Sequence, residues 1–261
     1  MSKTVNDWSK VNNEIVPLLG LATPALGFRL ISKKADLEMI PEIQRIDQGR
    51  RTFCQVVTKA RVQGITIGVT ADDLMPVCAA VIGLRDIPPG DHMEFYARLW
   101  CKTEEDARKR FTAMPKIPCK GQEAVVLAPL SAQRFEPEVI LIYGNPTQMS
   151  LAITALQWED YGRFQFSCTG EGACVDSVAQ CYNSGKPALA IPCWGERRTG
   201  GVRGEELALG LPPQALEKMI RGLKAFYDKG IKYPPQLRGI DVDPVIAFKA
   251  IYGGTWAIPE D

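Results

Sequence analysis

The stretch PEVILIYGNPTQMSLAI, residues 137 to 153, sets an apolar run directly against a helical pattern. Val139 to Tyr143 reads as a strand, and Thr147 to Tyr161 reads as a helix closed by Gly162. The same alternation extends outward. Upstream, residues 5 to 19 place Val5, Trp8, Val11 and Ile15 on one helical face, and ALGFRLI (25 to 31) reads as a strand. Phe53 to Gln63 is helical with Gly64 closing it, Ile65 to Thr70 is a strand, and Asp72 or Asp73 can cap a helix from Leu74 to about Gly83. Glu94 to Trp100 reads as a strand, Thr103 opens a helix to about Met114, and Ala124 to Leu127 is a strand. Helices and strands alternate throughout, which predicts an α/β or α+β fold.

Downstream, the chain retells its first half. Phe164 to Ser167 follows its helix as Ile65 to Thr70 follows 53 to 63, then comes a helix near Cys174 to match the one holding Cys78, then a strand ending at Cys193 to match Cys101. The pattern predicts two similar pseudo-symmetric lobes in one compact unit, with a cleft between them. The expected boundaries are an N-terminal helix over 1–20, lobes over 21–120 and 121–230, and a C-terminal extension over 231–261.

Composition narrows the function classes. The chain has 261 residues with 46% apolar side chains, enough for a substantial core. With 31 basic against 30 acidic side chains there is no surplus charge to neutralise a phosphate backbone, so no nucleic-acid partner is expected. The start, MSKTVNDWSK, lacks a signal-like apolar run, and no apolar stretch approaches the ~20 residues of a membrane span. The expected setting is the reducing cytoplasm, without a membrane partner, where the 8 cysteines remain thiols.

Most histidine chemistry is closed off because His92 is the only histidine, and neither HExxH, Cys-x-x-Cys nor GxxxxGK[ST] occurs. Two stretches stand out. In SCTGEGAC (167 to 174), two glycines lead into Cys174 at a helix start, where backbone N–H groups would lower a thiol pKa. In PCWGERRTGGVRG (192 to 204), Cys193 is followed by Arg197 and Arg198, whose planar forks suit a carboxylate or phosphate. Gln148, in the NPTQ segment, joins Arg197 and Arg198 as a substrate-binding candidate, and Arg197 is the catalytic candidate.

RRTFCQVVTKAR (50 to 61), CAAVIGL (78 to 84), APL (128 to 130), PEVILIYGNPTQMSLAI, GACVDSVA (172 to 179) and PCWGERR (192 to 198) together resemble the ArCR family, domain of unknown function 169. The resemblance runs from about residue 20 to residue 225. It implies that Cys54, Cys78, Cys174 and Cys193 are the family's characteristic cysteines, while Cys101, Cys119, Cys168 and Cys181 match no family motif. Arg197 falls at the position of the family's arginine. The chain departs from the pattern at Ala79 and Ala80, where relatives carry a glycine-rich continuation, and at Glu196, where Asp is more typical.

The resemblance supplies no activity, but it selects among the thiols. Four cysteines with no local Cys-x-x-Cys pair suit an iron-sulfur cluster, with zinc as the alternative. The expected function is a cysteine-ligated metal or iron-sulfur protein acting as an enzyme on a small anionic substrate, as a lyase, hydratase or reductase. A metal or cluster carrier or redox sensor, and a metal-free small-molecule-binding module, are the alternatives. A homo-oligomer is compatible with all three.

Overall fold

The computed structural model describes residues 7–86, 97–235 and 241. Six strands form one sheet: β1 (Leu26–Ile31), β2 (Ile67–Thr70), β3 (Ala124–Pro129), β4 (Val139–Gly144), β5 (Ala188–Ala190) and β6 (Leu207–Leu211). Their order is β2-β3-β1-β4-β6-β5, and every ladder is antiparallel. The fold is therefore α+β.

The long apolar runs follow from burial on both faces, which leaves no strand position for a polar side chain. Every residue of β3 and of β4 is buried. Val139, Leu141 and Tyr143 face one core, while Ile140 and Ile142 face the other. The first core is covered by α3 (Phe53–Gln63), α4 (Pro76–Val81) and α7, a π-helical stretch Val175–Ala179 continued as α-helix over Gln180–Ser184. The second is covered by α1 (Trp8–Leu19), α6 (Pro146–Leu156) and α9 (Pro213–Asp228). Three further α-helices among the described residues are α2 (Lys34–Glu38), α5 (Glu104–Ala113) and α8 (Trp194–Arg198).

Outward from the central β1–β4 pair, each half of the sheet places its first strand at the centre, its third next and its second at the edge. Helix α3 precedes β2 and ends at Gly64, which is left-handed; α7 precedes β5 and ends at Gly185, likewise left-handed. That order replaces the correspondence expected from sequence. Residues 164–167 form no strand, the helix after β4 stops at Leu156 rather than Tyr161, and Ala97 to Trp100 is a helical turn rather than a strand. Residues 94 to 96 of that expected strand, and His92, lie outside the described residues. By topology Cys54 and Cys174 open equivalent helices, whereas the sequence had paired Cys174 with Cys78. The expected boundary at 120–121 does not divide the sheet into separate hydrogen-bonded units, because β3 pairs with both β1 and β2.

The π-helical stretch sits tightly on the sheet. A Cβ at Gly210 in β6 would collide with the Ser177 carbonyl oxygen. Gly210→Ala should therefore lower the unfolding free energy by about 1–3 kcal/mol through overpacking. Gly162→Ala, where a Cβ enters open space, should change it by less than about 0.5 kcal/mol. Urea denaturation of the two variants measures both.

Candidate functional site

Cys54 lies in the first turn of α3, which is fixed by a capping box: the Thr52 hydroxyl accepts from Gln55 N–H and the Gln55 side chain accepts from Thr52 N–H. The Thr52 hydroxyl also lies 3.0 Å from the Cys54 sulfur. The segment before α3 is stitched to the segment before α4, with Arg51 N–H donating to the Asp73 carbonyl and Met75 N–H to the Arg51 carbonyl. This brings the two helix starts together, and the Phe53 backbone opposes the rise that burial causes in the Cys78 pKa.

In the other half, Gly170 and Gly172 take left-handed turns into the helix that carries Cys174. Asp176 locks the turn by accepting from the Thr169 N–H and hydroxyl. Cys193 caps α8, its sulfur accepting from Glu196 N–H at 3.3 Å. The end of α8 returns onto α3: a Cβ at Gly200 would lie 3.0 Å from the Cys54 sulfur. Thus four cysteines come from the N-terminal ends of four helices, two in each half of the sheet.

The thiols share an electrostatic environment. Burial pushes Cys54 up to about 12, with Glu196, Cys78 and Cys193 adding to the rise. Burial likewise pushes Cys78 up to about 11, with Cys193 adding. Cys174 is raised well above its ordinary value by burial, and then by Cys78, Glu196, Cys54 and Cys193. The sequence had suggested that the glycine turn lowers Cys174; desolvation in the core reverses that sign. Among the described residues, no group of three or more His, Cys, Asp or Glu side chains is arranged to hold a metal ion as it stands.

Beneath the thiols lies a buried polar chain that sequence reasoning missed. Arg61 forks onto Glu206 at 2.6 and 3.1 Å, and its guanidinium stacks 4.2 Å from the Tyr143 ring centroid. The Tyr143 hydroxyl donates to Glu196 Oε1 at 2.8 Å. Glu196 is 2% exposed, and burial raises its pKa. The only sequence signal was Glu196 standing where Asp is more typical.

Three other expected site residues have structural roles or surface positions. Arg197 donates to the carbonyls of Pro192, Arg203, Gly204 and Glu206, bracing the loop before β6 rather than presenting a free fork. Arg198 is exposed at the end of α8. Gln148 lies in the opposite helical layer; its amide completes the α6 capping box and donates to the carbonyls of Leu19 and Gly20. A separate groove of about 990 Å³, walled by Arg163, Phe164, Lys186 and Lys218, has none of the four cysteines in its lining.

The architecture defines a three-layer antiparallel α+β protein with a cluster of desolvated thiols against one face of its sheet. By sequence the chain belongs to the uncharacterised ArCR family, DUF169, whose model matches residues 14–222. It is similar to an uncharacterised protein of Methanocaldococcus jannaschii, 28% identical over 228 residues, covering 85% of this chain and 96% of that one. No solved structure matches the chain. Among the described residues, no helix is long and apolar enough to cross a membrane.

Because the thiolate is the nucleophile, raised pKa values suppress alkylation. In the folded, metal-free chain at pH 8, iodoacetamide should modify exposed Cys168 well before Cys54, Cys78 and Cys174. The Cys54 and Cys78 rates should rise only as pH approaches 11 to 12. Mass spectrometry of timed samples reads the order. Removing Arg61 takes from buried Glu206 its guanidinium fork and leaves it only the Arg203 N–H, so Arg61→Ala should destabilise by about 3 kcal/mol in urea denaturation.

Proposed function

We propose that the chain is a cysteine-ligated iron-sulfur protein, with Cys54, Cys78, Cys174 and Cys193 as the ligands. The observation that carries this reading is the placing of four thiols at the starts of four helices, with Cys78 and Cys174 on the same core and Cys54 against the Gly200 that follows the Cys193-capped helix. A packing role explains any one of them, since Cys78 and Cys174 do touch the core. Packing gives no reason for the thiols of two half-sheets to meet beside a buried carboxylate.

Thiolates select soft metals and iron-sulfur clusters. A single zinc ion with bonds of about 2.3 Å needs its sulfurs nearly touching one another. A polynuclear cluster holds them farther apart, drawing one thiolate to each of several metal ions. Loading displaces the thiol protons, so affinity should rise with pH below the thiol pKa values. With Arg197 engaged by its own loop, the small anionic substrate loses its expected fork, and any catalytic role rests on the metal centre.

The test is iron and acid-labile sulfide content in the full chain purified without oxygen. Both should be stoichiometric, with visible sulfide-to-iron absorption, and both should be lost in Cys78→Ser and Cys174→Ser but retained in Cys168→Ser. Zinc without sulfide would replace the cluster with the alternative metal, and metal-free protein that takes up neither would overturn the reading.

A further inference from the structure

Glu196 is the group that the four-cysteine reading leaves unexplained. Its Oε1 accepts the Tyr143 hydroxyl, but its Oε2 is fully buried and has no hydrogen-bond partner among the described residues. An ionised oxygen held in that way is costly unless something positive meets it. The nearby cations favour its charge from a distance but spend their hydrogen bonds elsewhere: Arg61 forks onto Glu206, and Arg197 is held by four backbone carbonyls.

The backbone of Glu196 lies against two of the thiols. Its N–H meets the Cys193 sulfur, and its own carbonyl and the Cys54 sulfur press on the same Gly200, 2.7 and 3.0 Å from where a Cβ would stand. Its charge bears on Cys54 and Cys174 as well. Five potential anions therefore share one desolvated region in which the neighbouring arginines leave Glu196 Oε2 without a hydrogen bond, an arrangement that a multivalent metal would neutralise.

We propose that Glu196 is a ligand of the cysteine site, its Oε2 binding one iron of the centre and giving a mixed thiolate-carboxylate donor set. The proposal rests on the cysteine reading and deepens it by naming the iron whose ligand is oxygen. Carboxylate oxygen is a harder ligand than thiolate, so that iron would differ in its donor set from the others. Tyr143 is the positioning residue, holding Oε1 so that Oε2 is left for the metal.

The experiment uses the full chain, reconstituted without oxygen from ferrous iron enriched in ⁵⁷Fe and sulfide, as wild type, Glu196→Gln and Cys174→Ser. Mössbauer spectra of the wild type should contain one iron with an oxygen-ligated signature beside thiolate-ligated iron. Glu196→Gln should lose that signature and release iron to a ferrous chelator about tenfold faster or more, the scale on which even outer partners of metal ligands act. A wild-type spectrum with thiolate-ligated iron alone overturns the proposal even if the variant fails to fold. Identical spectra and release rates for wild type and a folded Glu196→Gln also overturn it, while leaving the cysteine reading intact. Failure of the wild type to take up iron, or iron uptake that Cys174→Ser does not disturb, sinks the cysteine reading and this proposal together.

Discussion

The antiparallel seam between β1 and β4, from Leu26 against Leu141 to Phe28 against Val139, is the constraint on which everything else hangs. It joins the strand that begins the first half to the strand that begins the second, and so makes six strands one sheet. Both faces of that sheet are then apolar and must be covered, which the two helical layers do. On one side, α3 and α7 lie over opposite halves, with Cys54 and Cys174 at their starts. Without the seam, the two pairs of thiols would belong to separate sheets.

A second tie, made of polar groups, crosses the same seam. Arg61 belongs to α3, Tyr143 to β4, Glu196 to α8, and Glu206 to the approach to β6. The guanidinium forks onto Glu206, while its face lies over the tyrosine whose hydroxyl orients Glu196. Such a chain stabilises a core only if its members are satisfied, because each unpaired group carries an uncompensated desolvation penalty. Within this chain the side-chain atoms left unmatched are the Arg61 Nε and the Glu196 Oε2. Of these two groups, Glu196 is the one whose charge bears on the thiols.

The elements themselves were legible in the sequence because they obey local rules. Gly64 marks the end of α3, and the apolar run Val139 to Tyr143 marks a strand; the Thr52–Gln55 capping box and the burial of that strand on both sides are what the structure adds. The six-strand order was not legible, since alternation of helix and strand is the same whether strands run parallel or antiparallel. That ambiguity produced the mistaken correspondence between Cys78 and Cys174. Arg197 and Gln148 were misread for a related reason: a polar side chain near a motif looks available until the backbone carbonyls it must satisfy are known. Family resemblance singled out four thiols scattered over 140 positions of sequence, from Cys54 to Cys193, that local spacing alone could not have grouped. The Arg61–Tyr143–Glu196 chain spans residues too distant for any motif to join.

Desolvation links the fold to the chemistry of the site. The same burial that packs Cys78 and Cys174 against the core favours their neutral thiols, the form in which oxidation and alkylation are expected to be slow. A metal centre reverses the balance: its positive charge lowers thiol pKa values in a region where low dielectric strengthens attraction as much as it had strengthened repulsion. The helices need not be rebuilt for this, because α3 is anchored by its capping box and α7 by its close fit on Gly210. The burial that is expected to make the metal-free thiols slow to react is the one that would make a loaded site tight.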